Sequence, residues 1–243
     1  MNIKWEITQK DVKIIEELFR SHKNRPFVER RINRNVKKEI SHINIQTVWK
    51  KLVTCLLTTQ QRVGKGSKVR EFLTTKPFPL DYQKCNLQKN LKIYAQKTIQ
   101  NSGLRRYNNL SKEIEYNFNL LSNKTNGIWN ELKLTINKLS DDTSIEDERN
   151  AANYINDTFK GFGPKQSRNL LQTLGLSIYE IPLDSRVIKW FNDFGFPVQI
   201  SAKSLSDRYY YQFISDGIQQ LCKKSNVYPC VLDAIIFDTF YEG

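Results

Sequence analysis

Apolar residues recur at helical spacing along nearly the whole chain. In residues 8–20, for example, Val12, Ile15, Leu18 and Phe19 fall on one face, which predicts an amphipathic helix. The same spacing predicts further helices at 45–58, 67–73, 91–99, 110–121, 128–139, 148–157, 164–174, after Asp184, at 204–223 and at 227–241. No stretch alternates as a strand would, and no segment repeats. The pattern therefore predicts an all-α protein.

The length and charge narrow the class of partner. A chain of 243 residues is long enough for one large domain or two small ones with a hydrophobic core. Its net charge of +13 and its 12% aromatic residues favour a polyanionic partner. The alternative is a solvated basic face. The basic run from Arg30 to Lys38 is open to both interpretations, whereas Arg105 and Arg106 are expected at the surface.

Several classes of site and location are not supported by the sequence. No apolar run approaches the 18 residues of a membrane span, and the first residues lack the apolar core of a signal peptide. We therefore expect a cytoplasmic protein, nucleoid-associated if prokaryotic, with no membrane partner. Two histidines and four cysteines without C-x-x-C spacing predict neither a disulfide framework nor a metal site. The cysteines are Cys55, Cys85, Cys222 and Cys230.

Gly161, Phe162, Gly163 and Pro164 separate two predicted helices. Proline suits the first turn of a helix because it lacks an N–H and its φ is fixed. A glycine turn has no side chains in the way, so backbone N–H groups at the helix N-terminus can approach a phosphate. Taken alone, the turn also fits an ordinary helical connection.

Lys165 begins the second helix, and Asp184 follows nineteen residues later, where a helix N-cap belongs. Together with the glycine turn, this arrangement resembles the helix-hairpin-helix, Gly/Pro-rich, Asp superfamily of DNA base-excision glycosylases. The resemblance implies that Lys165 is the nucleophile of a bifunctional glycosylase and that Asp184 faces it across the active-site cleft. The lysine would displace the base and form a Schiff base, while the aspartate would stabilise positive charge on the sugar.

The chain departs from the family's pattern at two residues. Ser167 stands where the hairpin more often has alanine, which is a tolerable change. Arg186 stands where many members carry histidine, so no catalytic role is assigned to it. Only two cysteines lie near the C-terminus, where some relatives carry a four-cysteine iron–sulfur loop. We therefore predict no metal and no cofactor.

The predicted helix 45–58 runs into a polar stretch with Gln60 and Gln61. In the family, an amide at this point inserts into the duplex where the damaged nucleotide has left. Gln60 is the matching position, and its side chain is long enough to enter the base stack. We expect both glutamines to contact DNA, together with the hairpin amides of Gly161 and Gly163. The alternative is a helix end with exposed amides.

The resemblance implies two helical domains. Residues 45–178 would form a central bundle ending in the hairpin unit of about 148–175, and residues 1–44 plus 179–243 would form a domain from both chain ends. The implied activity is that of a monomeric glycosylase with AP lyase activity on double-stranded DNA. The nearest type is the 8-oxoguanine glycosylases without an iron–sulfur loop. The alternatives are a non-catalytic helix-hairpin-helix DNA-binding protein and a glycosylase for another modified base.

The charge makes a first prediction. If DNA is the partner and about six phosphates are contacted, affinity should fall about 10³-fold between 50 and 200 mM salt, because counterions are released on binding. Fluorescence anisotropy with a labelled duplex measures this dependence. A flat response would show that the charge is only a solvated face.

Overall fold

The computed structural model describes residues 4–40, 42–61, 63–64, 66–141 and 143–240. This part of the chain is helical and contains no strand, which confirms the all-α prediction. Tyr241, where the last predicted helix ends, lies outside the described residues. The helices are α1 Gln9–His22, α2 Pro26–Arg31, α3 Ile45–Leu57, α4 Lys68–Thr74, α5 Tyr82–Asn86, α6 Leu91–Asn101, α7 Tyr107–Ser122, α8 Ile128–Asp141, α9 Ile145–Thr158, α10 Pro164–Leu174, α11 Ser185–Phe194, α12 Arg208–Lys224 and α13 Pro229–Thr239.

Helix starts follow local chemistry. At α1, the Thr8 hydroxyl accepts from the Asp11 N–H and the Asp11 carboxylate accepts from the Thr8 N–H, a reciprocal capping box. Three helices begin instead with proline, which needs no hydrogen-bond partner for its nitrogen. They are α2, α10 and α13. Asp207 caps α12 through the Tyr210 N–H, so this helix begins at Arg208, after a short 3₁₀ turn at Ser204–Ser206.

Two short elements were not predicted, because helices of five or six residues show too few turns to reveal an apolar period. One is α5. The other is α2, which continues into a π-helical turn at Ile32–Val36. This turn directs Asn35 inward, where its amide donates to the carbonyl oxygens of Gln172 at 3.0 Å and Ser177 at 2.8 Å. Asn35 therefore joins the last turn of α10 to the loop that follows it through two hydrogen bonds.

The first of two compact units comprises Met1–Ser41, Leu139–Tyr154 and Gly163–Gly243. Its core forms where α1, α11, α12 and α13 pack together. Helix α13 is buried along nearly its whole length, which explains why its sequence is apolar without a marked polar face. Core residues of this unit include Ile15, Val28, Leu183, Val187, Phe191, Tyr211, Ile214, Ile218, Leu232 and Ile235.

The second unit comprises His42–Lys138 and Ile155–Phe162. Trp49 on α3 is completely buried in its core, with the indole N–H donating to the Leu80 carbonyl at 2.9 Å. The Trp49 ring meets Phe118 of α7 edge-on at 5.1 Å. A buried indole therefore has both its apolar surface and its one donor satisfied.

These units differ from the predicted domain boundaries. Residues 139–154 and 163–178 group with the chain ends rather than with the central bundle. Polar contacts account for the grouping, because Glu148 binds the backbone of residues 178–180 and Arg168 binds Glu180. The division into functional domains at 45–178 and at 1–44 plus 179–243 stays a prediction.

The basic run after Arg30 is only partly a solvated face. Arg31 is buried, and its guanidinium donates to Asp233 at 2.7 Å and to the Cys230 carbonyl at 3.2 Å. Burial and the charge of Arg31 lower the pKa of Arg34 to about 10. The Lys38 ammonium donates to the Leu139 carbonyl. Much of this run therefore lies against the first unit's interior, because α2 packs against α13 and because Ile32 and Val36 of the π-helical turn pack against the core.

All four cysteines are buried thiols, and burial raises the pKa of Cys85 and Cys230 to about 12. Within the described ranges, no three His, Cys, Asp or Glu side chains group as metal ligands would. None of the described helices combines the length and apolar character needed to cross a bilayer.

The buried Arg31–Asp233 pair makes a stability prediction. Asp233→Ala should cost about 3 kcal/mol, because it leaves the Arg31 guanidinium and the Gln172 amide without their shared acceptor. Asp193→Ala is the matched control: it breaks the exposed Lys189–Asp193 pair and should cost less than about 0.5 kcal/mol. Urea unfolding measures both. Equal losses would contradict the buried role of Asp233.

Candidate active site

The glycine turn between α9 and α10 is fixed by conformation and by space. Gly161 has a φ of +84°, and a Cβ at this position would lie 2.6 Å from Leu56 Cδ2 and 2.9 Å from Glu113 Oε2. Any other residue would therefore be strained and would also clash. Gly163 is extended and caps α10, with no atom within 4 Å of a built Cβ. The backbone at Gly163 is thus uncovered, as an approaching anion requires.

Asn117 of α7 holds the entry to the hairpin. Its side-chain oxygen accepts from the Lys160 N–H at 2.9 Å and its amide donates to the Lys160 carbonyl at 2.8 Å. The Lys160 ammonium lies 4.0 Å from the centre of the Tyr116 ring. Both backbone polar groups of the residue before Gly161, the N–H and the carbonyl of Lys160, are therefore hydrogen-bonded to Asn117.

Lys165 is the second residue of α10 and is half-buried. Ser167, the departure from alanine, is completely buried, and its hydroxyl donates to the Gly163 carbonyl at 3.0 Å. The extra hydroxyl is tolerated because it has a partner within the hairpin. It adds a link between the N-cap of α10 and the turn that carries Lys165.

Asp184 is the N-cap of α11. Its Oδ1 accepts from the N–H groups of Arg186 at 2.9 Å and Val187 at 3.1 Å, and its Oδ2 accepts from the Arg186 guanidinium. Burial alone would raise the pKa of Asp184, but the hydrogen bonds and charge of Arg186, with the two backbone N–H groups, hold it below its usual value. Asp184 is therefore an ionised carboxylate with a fixed orientation.

Arg186, to which the sequence assigned no role, is thus the partner of the candidate carboxylate. Its guanidinium also lies over the Phe237 ring at 4.2 Å, and Phe237 stacks on Phe27 at 4.5 Å. Asp184 accordingly has an arginine and a stacked aromatic pair in its immediate surroundings.

Of the tyrosines on α12, Tyr209 is exposed and Tyr211 is fully buried.

Gln60 and Gln61 have different environments. Gln60 is exposed and has a φ of +56°, the left-handed region that few residues other than glycine adopt. The Gln61 amide donates to the Leu57 carbonyl at 2.9 Å, and its oxygen accepts from the Arg105 N–H at 2.9 Å. Both ends of the Gln61 side chain are therefore engaged within the protein, whereas Gln60 presents its side chain to solvent.

Arg105 and Arg106, expected only at the surface, hold this turn. The Arg105 guanidinium donates to the Gln60 carbonyl at 3.2 Å, and Arg106 donates to the Thr59 carbonyl at 3.3 Å. Arg106 also contacts Glu113 at 3.5 Å, the residue that packs against Gly161. One short series of contacts within the second unit thus connects the hairpin turn with the Gln60 turn.

Two buried carboxylates support the segment that leads to Asp184, and the sequence analysis missed both. Glu148 accepts from the N–H groups of Ile178, Tyr179 and Glu180 at 2.7 to 2.9 Å. Glu180 is held by the guanidinium groups of Arg168 and Arg149. A signal was available for Glu148, because it stands in register with the apolar stripe Ala151, Ala152 and Ile155 of α9.

The structure places Lys165, Asp184 and Gly163 in the first unit, and Gln60, Gln61 and Gly161 in the second. The first group combines a half-buried amine near a helix N-terminus with an ionised carboxylate. The second combines a constrained turn with an exposed amide. The first set has the chemistry of nucleophilic and electrostatic catalysis.

No protein-family model matches the sequence, and no curated protein sequence matches it significantly. Solved structures do match. The 8-oxoguanine DNA glycosylase of Methanocaldococcus jannaschii has a TM-score of 0.64 at 18% identity, with 96% of this chain and 94% of that chain covered. The structure of the Methanocaldococcus jannaschii 8-oxoguanine glycosylase/lyase in complex with a 15mer DNA containing 8-oxoguanine has a TM-score of 0.66 at 15% identity. It covers 95% of this chain and 98% of that chain.

The 8-oxoguanine DNA glycosylase of Thermotoga maritima gives a TM-score of 0.64 at 16% identity, covering 94% of this chain and 95% of that chain. The structure is therefore that of an all-helical protein with a helix-hairpin-helix motif formed by α9, the glycine turn and α10. More narrowly, the chain has the fold of the bacterial and archaeal 8-oxoguanine DNA glycosylases over nearly its whole length.

Glu148 makes a pH prediction. Burial outweighs its four hydrogen bonds and raises the pKa of Glu148 to about 7, against about 4.3 in an unfolded chain. The stability that this proton confers is complete below pH 4.3 and is lost as the pH rises through 7. Relative to Glu148→Gln, the wild type should therefore lose about 2 kcal/mol between pH 5 and pH 8, measured by urea unfolding. A constant difference would mean that the backbone N–H groups keep Glu148 ionised.

Proposed function

We propose that this chain is a base-excision DNA glycosylase with AP lyase activity that acts on double-stranded DNA. The observation that carries the proposal is the presence, in one compact unit of a glycosylase fold, of a half-buried Lys165 just behind the glycine hairpin and an ionised, capped Asp184. The enzyme is proposed to act as a monomer in the cytoplasm or nucleoid, without a metal or cofactor.

The target base is inaccessible within a stacked duplex, so the nucleotide must first be extruded. The Lys165 amine then attacks the anomeric carbon, and the bond to the base breaks with its electrons leaving on the base, which is protonated. The sugar ring opens to a Schiff base on Lys165. Loss of a proton from the neighbouring sugar carbon expels the 3′ phosphate by β-elimination and cuts the strand.

Asp184 is proposed to stabilise the positive charge that develops on the sugar as the base leaves. Four N–H donors hold its carboxylate in place before any substrate arrives, so little reorganisation is needed in the transition state. Its low pKa keeps the carboxylate charged at neutral pH.

DNA binding is proposed to involve both units. The uncovered backbone at Gly163 and the turn at Gly161 would hold a phosphate and set the register without reading sequence. Gln60 would enter the gap left by the extruded nucleotide. Gln61 would contribute by holding the turn, since both ends of its side chain already have partners.

The proposed substrate is 8-oxoguanine. Its support is the fold shared with three 8-oxoguanine glycosylase structures, one of them in complex with DNA containing that base. Stacking tolerates any base, so the choice of 8-oxoguanine rests on the shared fold.

Borohydride trapping on a duplex with one 8-oxoguanine tests the mechanism. The wild type should form a covalent adduct, and Lys165→Gln should form none while still binding the duplex, because the Schiff base needs the Lys165 amine. Lys160→Gln is the matched control: it removes an ammonium from the same hairpin, one that lies over Tyr116, and should leave trapping intact. Undiminished trapping by Lys165→Gln would assign the nucleophile elsewhere.

Base release and strand breakage distinguish the alternatives when they are measured on otherwise identical duplexes that carry 8-oxoguanine, guanine, uracil or an oxidised pyrimidine. Strand breaks without alkali on the 8-oxoguanine duplex support the full proposal. Faster release of another base would overturn the substrate but keep the Lys165 chemistry. Tight binding with no base release from any duplex would indicate a non-catalytic DNA-binding protein.

A further inference from the structure

Tyr211 of α12 is completely buried and uses its phenol on one short backbone segment. The hydroxyl oxygen accepts from the Leu183 N–H at 2.7 Å, and its O–H donates to the Ile181 carbonyl at 2.8 Å. These two bonds lie on either side of Pro182, whose nitrogen has no hydrogen to offer. One phenol thus holds residues 181–183, which belong to no helix, and the next residue is Asp184.

Arg168 of α10 makes the corresponding contacts on the side of Lys165. Its guanidinium donates to the Pro164 carbonyl at 3.1 Å, the residue just before Lys165, and binds the Glu180 carboxylate. The same guanidinium lies 4.3 Å from the centre of the Tyr211 ring. A continuous set of contacts therefore runs from Pro164 through Arg168 and Tyr211 to Leu183.

Stability alone does not explain this arrangement. A buried ion pair is often replaceable by apolar residues without loss of stability. The Arg168 Nη2 atom is buried without a hydrogen-bond partner, which opposes folding. The hydrogen bonds of Arg168 and Tyr211 fix the direction of the backbone at Pro164 and at residues 181–183. Apolar packing would not fix this direction.

We propose that Tyr211 and Arg168 are positioning residues that set the placement of Asp184 relative to Lys165. The inference rests on the proposed function, since it assigns these residues to the step in which Lys165 and Asp184 act together. Neither side chain is proposed to touch the substrate. Tyr211 acts through the backbone of residues 181–183, and Arg168 acts through Pro164 and through its contact with the Tyr211 ring.

Tyr211→Phe is the central variant, because it keeps the ring beneath Arg168 and removes only the hydroxyl. Single-turnover base release should slow about 10- to 100-fold, the scale expected when a catalytic group is displaced by about an ångström. The Kd for a duplex should stay within about twofold, because no proposed DNA contact is altered. Tyr210→Phe is the matched control: its hydroxyl donates to the Gln199 carbonyl, away from Asp184, and its loss should change neither quantity.

A double-mutant cycle separates positioning from general damage. If Tyr211 acts through Asp184, then Tyr211→Phe should add little to the loss already caused by Asp184→Asn. Multiplicative losses, or a wild-type rate in Tyr211→Phe, would overturn the proposal. Should Tyr211→Phe fail to fold, Arg168→Lys takes its place in the cycle, since one ammonium cannot bind both Glu180 and Pro164 as the guanidinium does.

Amide hydrogen exchange gives a readout that does not depend on activity. Tyr211→Phe should lower the protection of the Leu183 amide about tenfold, the scale of one lost hydrogen bond, while Tyr210→Phe leaves it unchanged. Unchanged protection of Leu183 would overturn the positioning role even if the enzyme is active. Absence of base release and trapping in the wild type would instead overturn the proposed function, whatever the exchange result.

Discussion

The ion pair between Arg168 and Glu180 is the interaction on which the rest of the first unit's site depends. Both side chains are almost completely shielded from solvent, so each would be costly to bury alone. Glu180 also accepts from Arg149, Ser215 and Gln219, which offsets the loss of its hydration. Two cations around one carboxylate, despite its burial, lower the pKa of Glu180. The carboxylate thereby stays charged although it is buried within the first unit.

Glu148, whose carboxylate accepts from the Glu180 N–H at 2.8 Å, shows the opposite solution. Its carboxylate is equally buried but has backbone N–H groups and the Ser177 hydroxyl as partners, with no cation among them. Dipoles compensate burial less completely than full charges do, so its pKa rises where that of Glu180 falls. Together the two carboxylates tie α9 and α10 to the loop before α11. That loop has little regular structure of its own, and these contacts give it a defined path.

Much of this could be predicted from the sequence, where signals are local. Helical spacing gave the fold class, and the glycine turn with Lys165 and Asp184 gave the candidate site because these residues lie within one stretch of chain. The partners of those residues could not be found in this way. Tyr211 and Arg31 reach theirs across long sequence separations, and a charged residue at a buried position looks the same in sequence as a solvated one. Arg186 stands only two residues after Asp184 in the sequence. Its hydrogen bond to the Asp184 carboxylate nevertheless depends on the direction of the arginine side chain, which sequence spacing does not specify.

The backbone conformation of Gln60 has a consequence for the proposed binding of a duplex. A glutamine in the left-handed region carries a conformational strain of order 1 kcal/mol, and Arg105 and Arg106 keep it there by binding the carbonyl groups of the turn. The strain is already present in the DNA-free protein. The insertion proposed for Gln60 would therefore require no ordering of the turn at the moment of binding. Glycine would relax the backbone at this position but would remove the side chain that the proposed insertion needs, so backbone stability and the proposed role favour different residues here.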